Sequence, residues 1–208
     1  MNVNFNFAEF LKATWKGFKS QCWLLMGLLI GFIIIYSLLF LFAAPAQGES
    51  MSLSGIIVAV LCIILECLFV MGYLKNCLQT IDGEEPQFSA YGQVSRKLPA
   101  FIPAFILFPV IIAIGLALFI FPGIYLLLRL QFLFASFVED DTSLTGSFKR
   151  SWNITKGHTM QLFILMLIQS LIFIVGTIAF GIGIFVATPV IVLMYAHAYR
   201  KLTAPATG

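Results

Sequence analysis

The residues able to do chemistry in this chain are few and dispersed. His158 and His197 are far apart and sit beside different apolar runs, and neither has an Asp, Glu or Cys at the spacing a metal site needs. Both therefore read as histidines satisfied locally. Cys22, Cys62, Cys67 and Cys77 lie in or next to apolar runs, and Cys62 and Cys67 fit no metal or redox motif. As small apolar fillers they need no further role. Glu139, Asp140 and Asp141 form the main acidic cluster. Three carboxylates could hold a divalent cation against a phosphate, but a cap that ends one apolar run and puts negative charge ahead of the next helix accounts for them more simply. No nucleophile elbow, paired-histidine zinc motif or Gly-rich phosphate loop stands before a suitable helix. The expectation is a protein without catalytic residues, metal or cofactor.

Two ionisable residues fall inside apolar runs, Glu66 and Arg129, and they carry opposite signs. A charge in hydrocarbon is costly enough to mark a functional site by default. Counted at ~1.5 Å per helical residue from Lys75 and from Glu139, both lie about 14 Å from the same membrane face. An intramembrane ion pair between Glu66 and Arg129 is the first reading. Arg129 reaching outward while Glu66 stays protonated is the alternative. Gln131, Gln169 and Ser170 would extend such a polar network.

Composition decides what must position these groups. A chain of 208 residues that is 61% hydrophobic and 10% charged, with mean hydropathy +1.01, is an integral membrane protein. Its net charge of +3 does not point to nucleic acid, because the Lys and Arg flank apolar spans and form no basic block. The expected acidic partner is a bilayer with anionic headgroups. Six apolar stretches are read as spans: Gln21 to Ala44, long enough for the ~20 residues a crossing helix needs, Leu53 to Leu74, Phe101 to Phe121, the short Ile124 to Val138, Met160 to Phe180 and Ile184 to Tyr199. The first is expected to be retained rather than cleaved as a signal peptide. Gly27 and Gly31 make a small-xxx-small pair that would admit a close neighbour, although chance explains them equally well. Pro103 and Pro109 predict a kink or broken start in the third span. Pro122-Gly123 predicts the turn between the third and fourth.

Between spans the periodicity changes. Phe7, Phe10, Leu11, Thr14, Trp15 and Phe18 mark one face of a helix over Phe5 to Lys19, with Glu9, Lys12, Lys16 and Lys19 on the other. Phe88, Tyr91, Val94 and Leu98 oppose Gln93, Arg96 and Lys97. Leu144, Phe148 and Trp152 oppose Lys149, Arg150, Asn153 and Lys156, with Thr142 or Ser143 as N-cap. These three segments predict interfacial helices on the cytoplasmic face, with Lys12, Trp15, Lys16, Lys19, Arg96, Lys97, Lys149, Arg150, Trp152 and Lys156 as lipid contacts. Eleven of the twelve Lys and Arg, all but Arg129, then fall on one side, so both termini are expected in the cytoplasm. The architecture expected is all-α, with six transmembrane helices in three hairpins, each preceded by an amphipathic helix. It forms one membrane domain of units at about 5–80, 82–141 and 142–201. Sliding the first unit by 137 positions superposes Lys12 on Lys149, Trp15 on Trp152 and Lys19 on Lys156. Internal duplication and convergence both explain that match.

Phe121-Pro122-Gly123, the Arg129 that follows, Glu139-Asp140-Asp141 and the run from Ser147 to His158, SFKRSWNITKGH, resemble the membrane domain associated with bacterial glycerophosphoryl diester phosphodiesterases and related small polytopic bacterial proteins. The likeness is strongest from Phe121 to Lys201, where Gly183, Pro189, Tyr195 and Tyr199 also fit. It implies a six-helix module in the bacterial inner membrane, and it carries over none of the soluble phosphodiesterase's catalytic residues. Three function classes follow. The first is a non-enzymatic module that scaffolds or stabilises another membrane protein or component. A carrier or flippase of lipid-like molecules is the second, and an intramembrane enzyme, with least support, the third.

Overall fold

The computed structural model describes residues 7–43, 52–139, 143–178 and 183–204. Among these, 89% are helical and none is in a strand. The helices are α1 Phe7–Ala43, α2 Leu53–Ile81, α3 Ser89–Ser95, α4 Leu98–Leu118, α5 Ile120–Leu130, α6 Leu133–Glu139, α7 Leu144–Ile154, α8 Thr159–Ile178 and α9 Ile184–Thr203. Most of the expected outer loop Pro45 to Ser52, the turn residues Gly181 and Ile182, and Asp140, Asp141 and Thr142 lie outside the described residues.

Local chemistry sets the boundaries. α1 runs from the amphipathic segment into the first apolar run and leaves helical geometry only at Gln21 (φ −129°, ψ 16°), where the change of character was expected. α2 is capped by Ser52, whose Oγ accepts from Gly55 N at 3.1 Å, and α7 by Ser143, whose Oγ accepts from Gly146 N at 3.3 Å. Gly83 and Gly157 have φ near +85° just beyond α2 and α7, where a left-handed residue ends a helix at least cost.

Three expectations are corrected. The chain between α4 and α5 breaks at the extended Phe119 (φ −157°, ψ 140°), and Pro122-Gly123 lies inside α5. Proline is tolerated in a first turn because its missing N–H has no partner there in any case. Gly123 serves close approach instead: a Cβ on it would sit 2.6 Å from Leu116 N. The fourth apolar run is not one helix, for it is interrupted at Gln131-Phe132 between α5 and α6. The third run, by contrast, stays helical through Pro103 and Pro109, so of the kink or broken start expected there the broken start is absent.

Five helical stretches are long and apolar enough to cross a membrane: Phe7–Phe42, Leu53–Ile81, Leu98–Leu118, Ile120–Glu139 and Thr159–Ile178. α9 matches α8 in length but carries Pro189, Arg200 and Lys201, and it does not join those five. α1 packs along α2 and α9, α4 along α5, and α8 along α9. The core forms where α2, α6 and α9 converge, around the fully buried Met71, Leu78, Phe132, Phe137, Leu193 and Tyr199. Large apolar side chains such as Ile34, Leu41, Ile57, Ile114 and Phe173 face outward, as hydrocarbon requires and water would not allow.

Candidate functional site

Three helix ends carry the first charges met after their apolar runs, and packing brings those charges together. Lys75 of α2 donates from Nζ to Glu139 Oε1 of α6 at 2.9 Å, and Arg200 of α9 donates from Nη1 to Glu139 Oε2 at 2.6 Å. Arg200 also donates from Nη2 to Asp82, the residue that caps α2. One carboxylate thus bridges two cations from two other helices, and all three side chains are largely withdrawn from solvent. Burial would lower the affinity of the Arg200 guanidinium for its proton, but the bonds and charges of Glu139 and Asp82 outweigh it and raise its pKa. Lys97 joins the same end of the bundle, donating to the Phe137 and Val138 carbonyls at 3.4 and 3.2 Å. Asn76 Oδ1 accepts from Gln87 N at 2.9 Å and fastens the loop between α2 and α3. Sequence reasoning took Glu139 for a cap and Lys75 and Arg200 for topology markers. The signal for the junction was present, since Lys75, Glu139 and Arg200 are each the first charged residue at the end of an apolar run.

Glu66 and Arg129 are not brought together. Lys75–Glu139, Arg200–Glu139 and Arg200–Asp82 are ion pairs of the described residues, and none joins Glu66 to Arg129. Arg129 is buried at 3% exposure and lies under Trp152 of α7, 4.3 Å from the ring centroid, with the Tyr125 ring at 5.8 Å. Its Nε finds no hydrogen-bond partner among the described residues. A guanidinium is weakly hydrated and planar, so aromatic faces compensate part of its burial. Its backbone carbonyl accepts from Ser151 Oγ at 3.0 Å and Thr155 Oγ1 at 3.2 Å.

Those two bonds show which side of α7 turns inward. Ser147, Ser151 and Thr155, four apart, are completely buried, whereas Leu144 and Phe148 are half-buried and Trp152 is exposed. Small hydroxyl residues let α7 approach α5 and α6 closely and satisfy an interrupted helix end. The expected apolar stripe therefore faces partly outward. α1 repeats the division: Phe10, Thr14 and Phe18 are buried, while Leu11 and Trp15 are exposed. Lys12, Lys16, Lys19, Arg96, Lys149 and Lys156 are exposed, and Arg150 is half-buried. Of the apolar stripe Phe88, Tyr91, Val94 and Leu98, Val94 is buried together with Ala90, while Phe88 is 80% exposed.

The remaining candidates have local partners. His158 pairs with Gln161 through Nδ1 at 2.8 Å, and His197 stacks against Phe10 with ring centroids 4.7 Å apart. The four cysteines are free. A cavity of about 320 Å³ lies between α1, α2, α8 and α9, beside Tyr73, Phe134, Gln169 and Tyr195. Tyr195 Oη there accepts from Ala135 N at 3.3 Å, and Gln169 donates to the Ile191 carbonyl at 3.3 Å.

A family model described as the membrane domain of glycerophosphoryl diester phosphodiesterase matches residues 94–200, just over half of the chain. No curated protein and no solved structure matches. The matched stretch contains Arg129, Glu139, α7 and Arg200, and excludes α1 and α2.

Proposed function

The chain belongs to the family of the membrane domain of glycerophosphoryl diester phosphodiesterase, and from that premise we propose that it is a non-enzymatic polytopic module that scaffolds or stabilises another membrane component. The observation that carries this reading is the charged junction, in which Lys75, Glu139, Asp82 and Arg200 are spent on tying α2, α6 and α9 together. Groups committed in this way make a rigid core rather than a reactive one, and they leave the exposed Lys of α1 and α7 and Arg96 beside α3 for lipid and protein contacts. In this proposal six helices span the bacterial inner membrane in three hairpins, with α9 as the sixth. The junction and both termini are cytoplasmic, and the amphipathic segments line that face. The concentration of Lys and Arg there supports the orientation. Cross-linking in intact membranes, then mild detergent extraction, tests it. Recovery of one recurrent membrane protein in stoichiometric amount is expected, and recovery of the chain with lipid alone would contradict it.

A carrier of lipid-like molecules is the second reading, favoured by the 320 Å³ cavity among the central helices. Transfer of labelled phospholipid between leaflets of vesicles holding the purified chain separates the two, since a scaffold leaves the leaflet distribution unchanged.

A further inference from the structure

We propose that the chain carries three equivalent grooves, each taking the acyl chain of an anionic phospholipid with the phosphate held at the basic side of an amphipathic helix. This rests on the membrane placement proposed above and is independent of whether the module serves a partner.

Offsets of 76 and then 61 positions align the three amphipathic segments. At those offsets Thr14, Ala90 and Ser151 coincide, as do Phe18, Val94 and Thr155, and Leu25, Phe101 and Leu162. All nine side chains are buried. One position after the first set stands a large aromatic: Trp15, Tyr91 and Trp152 also coincide. Each of these three lines a different groove. Trp15 of α1 borders one of about 460 Å³ against α8 and α9, with Val186 and Val190 in its wall. Tyr91 of α3 borders one of about 560 Å³ against α1 and α2, with Leu24, Leu65 and Phe69. Trp152 of α7 borders one of about 500 Å³ between α4, the end of α5 and α7, with Ile111 and Leu130. Each amphipathic segment thus covers the helix pair that precedes it in the chain, and the first covers the last, which closes the ring. Lys75, Glu139 and Arg200 meet at the corresponding ends of the second helix of each unit.

A single void between helices could be a packing accident. The same void under the same aromatic in three units is a constructed feature, and its size is that of a small-molecule site. The helix pairs behind these aromatics line the grooves with apolar side chains and, α9 apart, are long and apolar enough to span a bilayer, so the molecule beside them is an acyl chain. Cations stand on or beside the covering segments: Lys12, Lys16 and Lys19, then Arg96, then Lys149 and Lys156 are exposed, none is in an ion pair among the described residues, and Lys149 itself lines the third groove. An aromatic at the headgroup level with cations next to it selects a lipid with net negative charge. A helix of another protein seated on Gly27 and Gly31 is the rival occupant of the second groove, and it would show no dependence on lipid headgroup.

The test is native mass spectrometry of the full chain in mild detergent, with phosphatidylglycerol, phosphatidylcholine, diacylglycerol or glycerophosphate added. Up to three phosphatidylglycerol molecules are expected to be retained, in clear preference to the neutral lipids, and glycerophosphate without acyl chains is not expected to compete. Gly27→Leu with Gly31→Leu fills the second groove, and a Cβ at either position meets nothing within 4 Å, so the fold should survive. The maximum should fall from three to two. Lys149→Gln with Lys156→Gln should leave three sites but weaken one of them roughly tenfold. Adducts without headgroup preference, or three full-affinity sites in either variant, would overturn the proposal. A failure of the membrane placement itself would show separately, in labelling of introduced cysteines.

Discussion

Lys75 Nζ lies 2.9 Å from Glu139 Oε1, although 64 residues separate them in the chain. The bond holds α2 to α6, and the second oxygen of the same carboxylate holds α9 through Arg200. Removing Glu139 therefore leaves two partly buried cations facing each other, whereas removing Lys75 or Arg200 leaves a carboxylate that still has one partner. Glu139→Gln should lower thermal stability in detergent by on the order of 2–3 kcal/mol, more than either cation variant. Asp82→Asn should cost under about 1 kcal/mol, since that carboxylate is more exposed. Equal melting of Glu139→Gln and Asp82→Asn would show that the junction does not hold the bundle.

Arg129 is coupled to Trp152 rather than to Glu66. In double-mutant cycles of melting temperature, Arg129→Met and Trp152→Leu should be non-additive by roughly 0.5–2 kcal/mol. Arg129→Met and Glu66→Gln should be additive within about 0.5 kcal/mol. A larger coupling between Glu66 and Arg129 would restore the ion pair expected from sequence.

Glycines divide by what surrounds them. Ala at Gly183 would bring its Cβ within 2.5 Å of the Gly176 carbonyl oxygen, and Ala at Gly123 would press on the backbone of Leu116. Both should destabilise by about 1–3 kcal/mol. Gly27→Ala and Gly31→Ala meet open space, so they should be neutral or stabilise by up to about 1 kcal/mol each through helix propensity. Thermal melts of the four single variants check the division.

α7 depends on its cap and its hydroxyl face. Ser143→Ala should cost about 1 kcal/mol through the lost bond to Gly146 N. Thr155→Val removes a bond to the Arg129 carbonyl and should cost about as much. Hydrogen exchange along α7 would show Ser143→Ala loosening the first turn and Thr155→Val the last.

Much of this fold is legible in the sequence because hydrophobic length and helical spacing report directly on burial in lipid. The change at Gln21, the N-cap at Ser143 and the helix from Leu144 follow from local chemistry alone. What local patterns could not give was the partner of each polar group. Arg129 and Glu66 were matched by depth along their own helices, but rotation about those helices decides which side chains meet, and α7 places Trp152 against Arg129 first. The stripe Leu144, Phe148 and Trp152 suggested a side for the acyl boundary and left the protein-facing side unread; Ser147, Ser151 and Thr155 are buried there because a helix packed against protein in a membrane gains more from close approach and hydrogen bonds than from apolar bulk. Pro122-Gly123 looked like a turn because both residues favour one, while the same pair serves equally as a helix start that must pass close to a neighbour.

The proposed module requires all three amphipathic segments and the charged junction to share one side of the membrane. Single cysteines placed in a background lacking Cys22, Cys62, Cys67 and Cys77, and treated in intact cells with a membrane-impermeant thiol reagent, measure this directly. Leu53→Cys and Phe121→Cys, at exposed positions near the opposite ends of their helices, should label. Lys16→Cys, Arg96→Cys and Lys149→Cys should label only after the cells are opened. Labelling of any of these last three from outside would contradict the common cytoplasmic face and, with it, the three-unit arrangement.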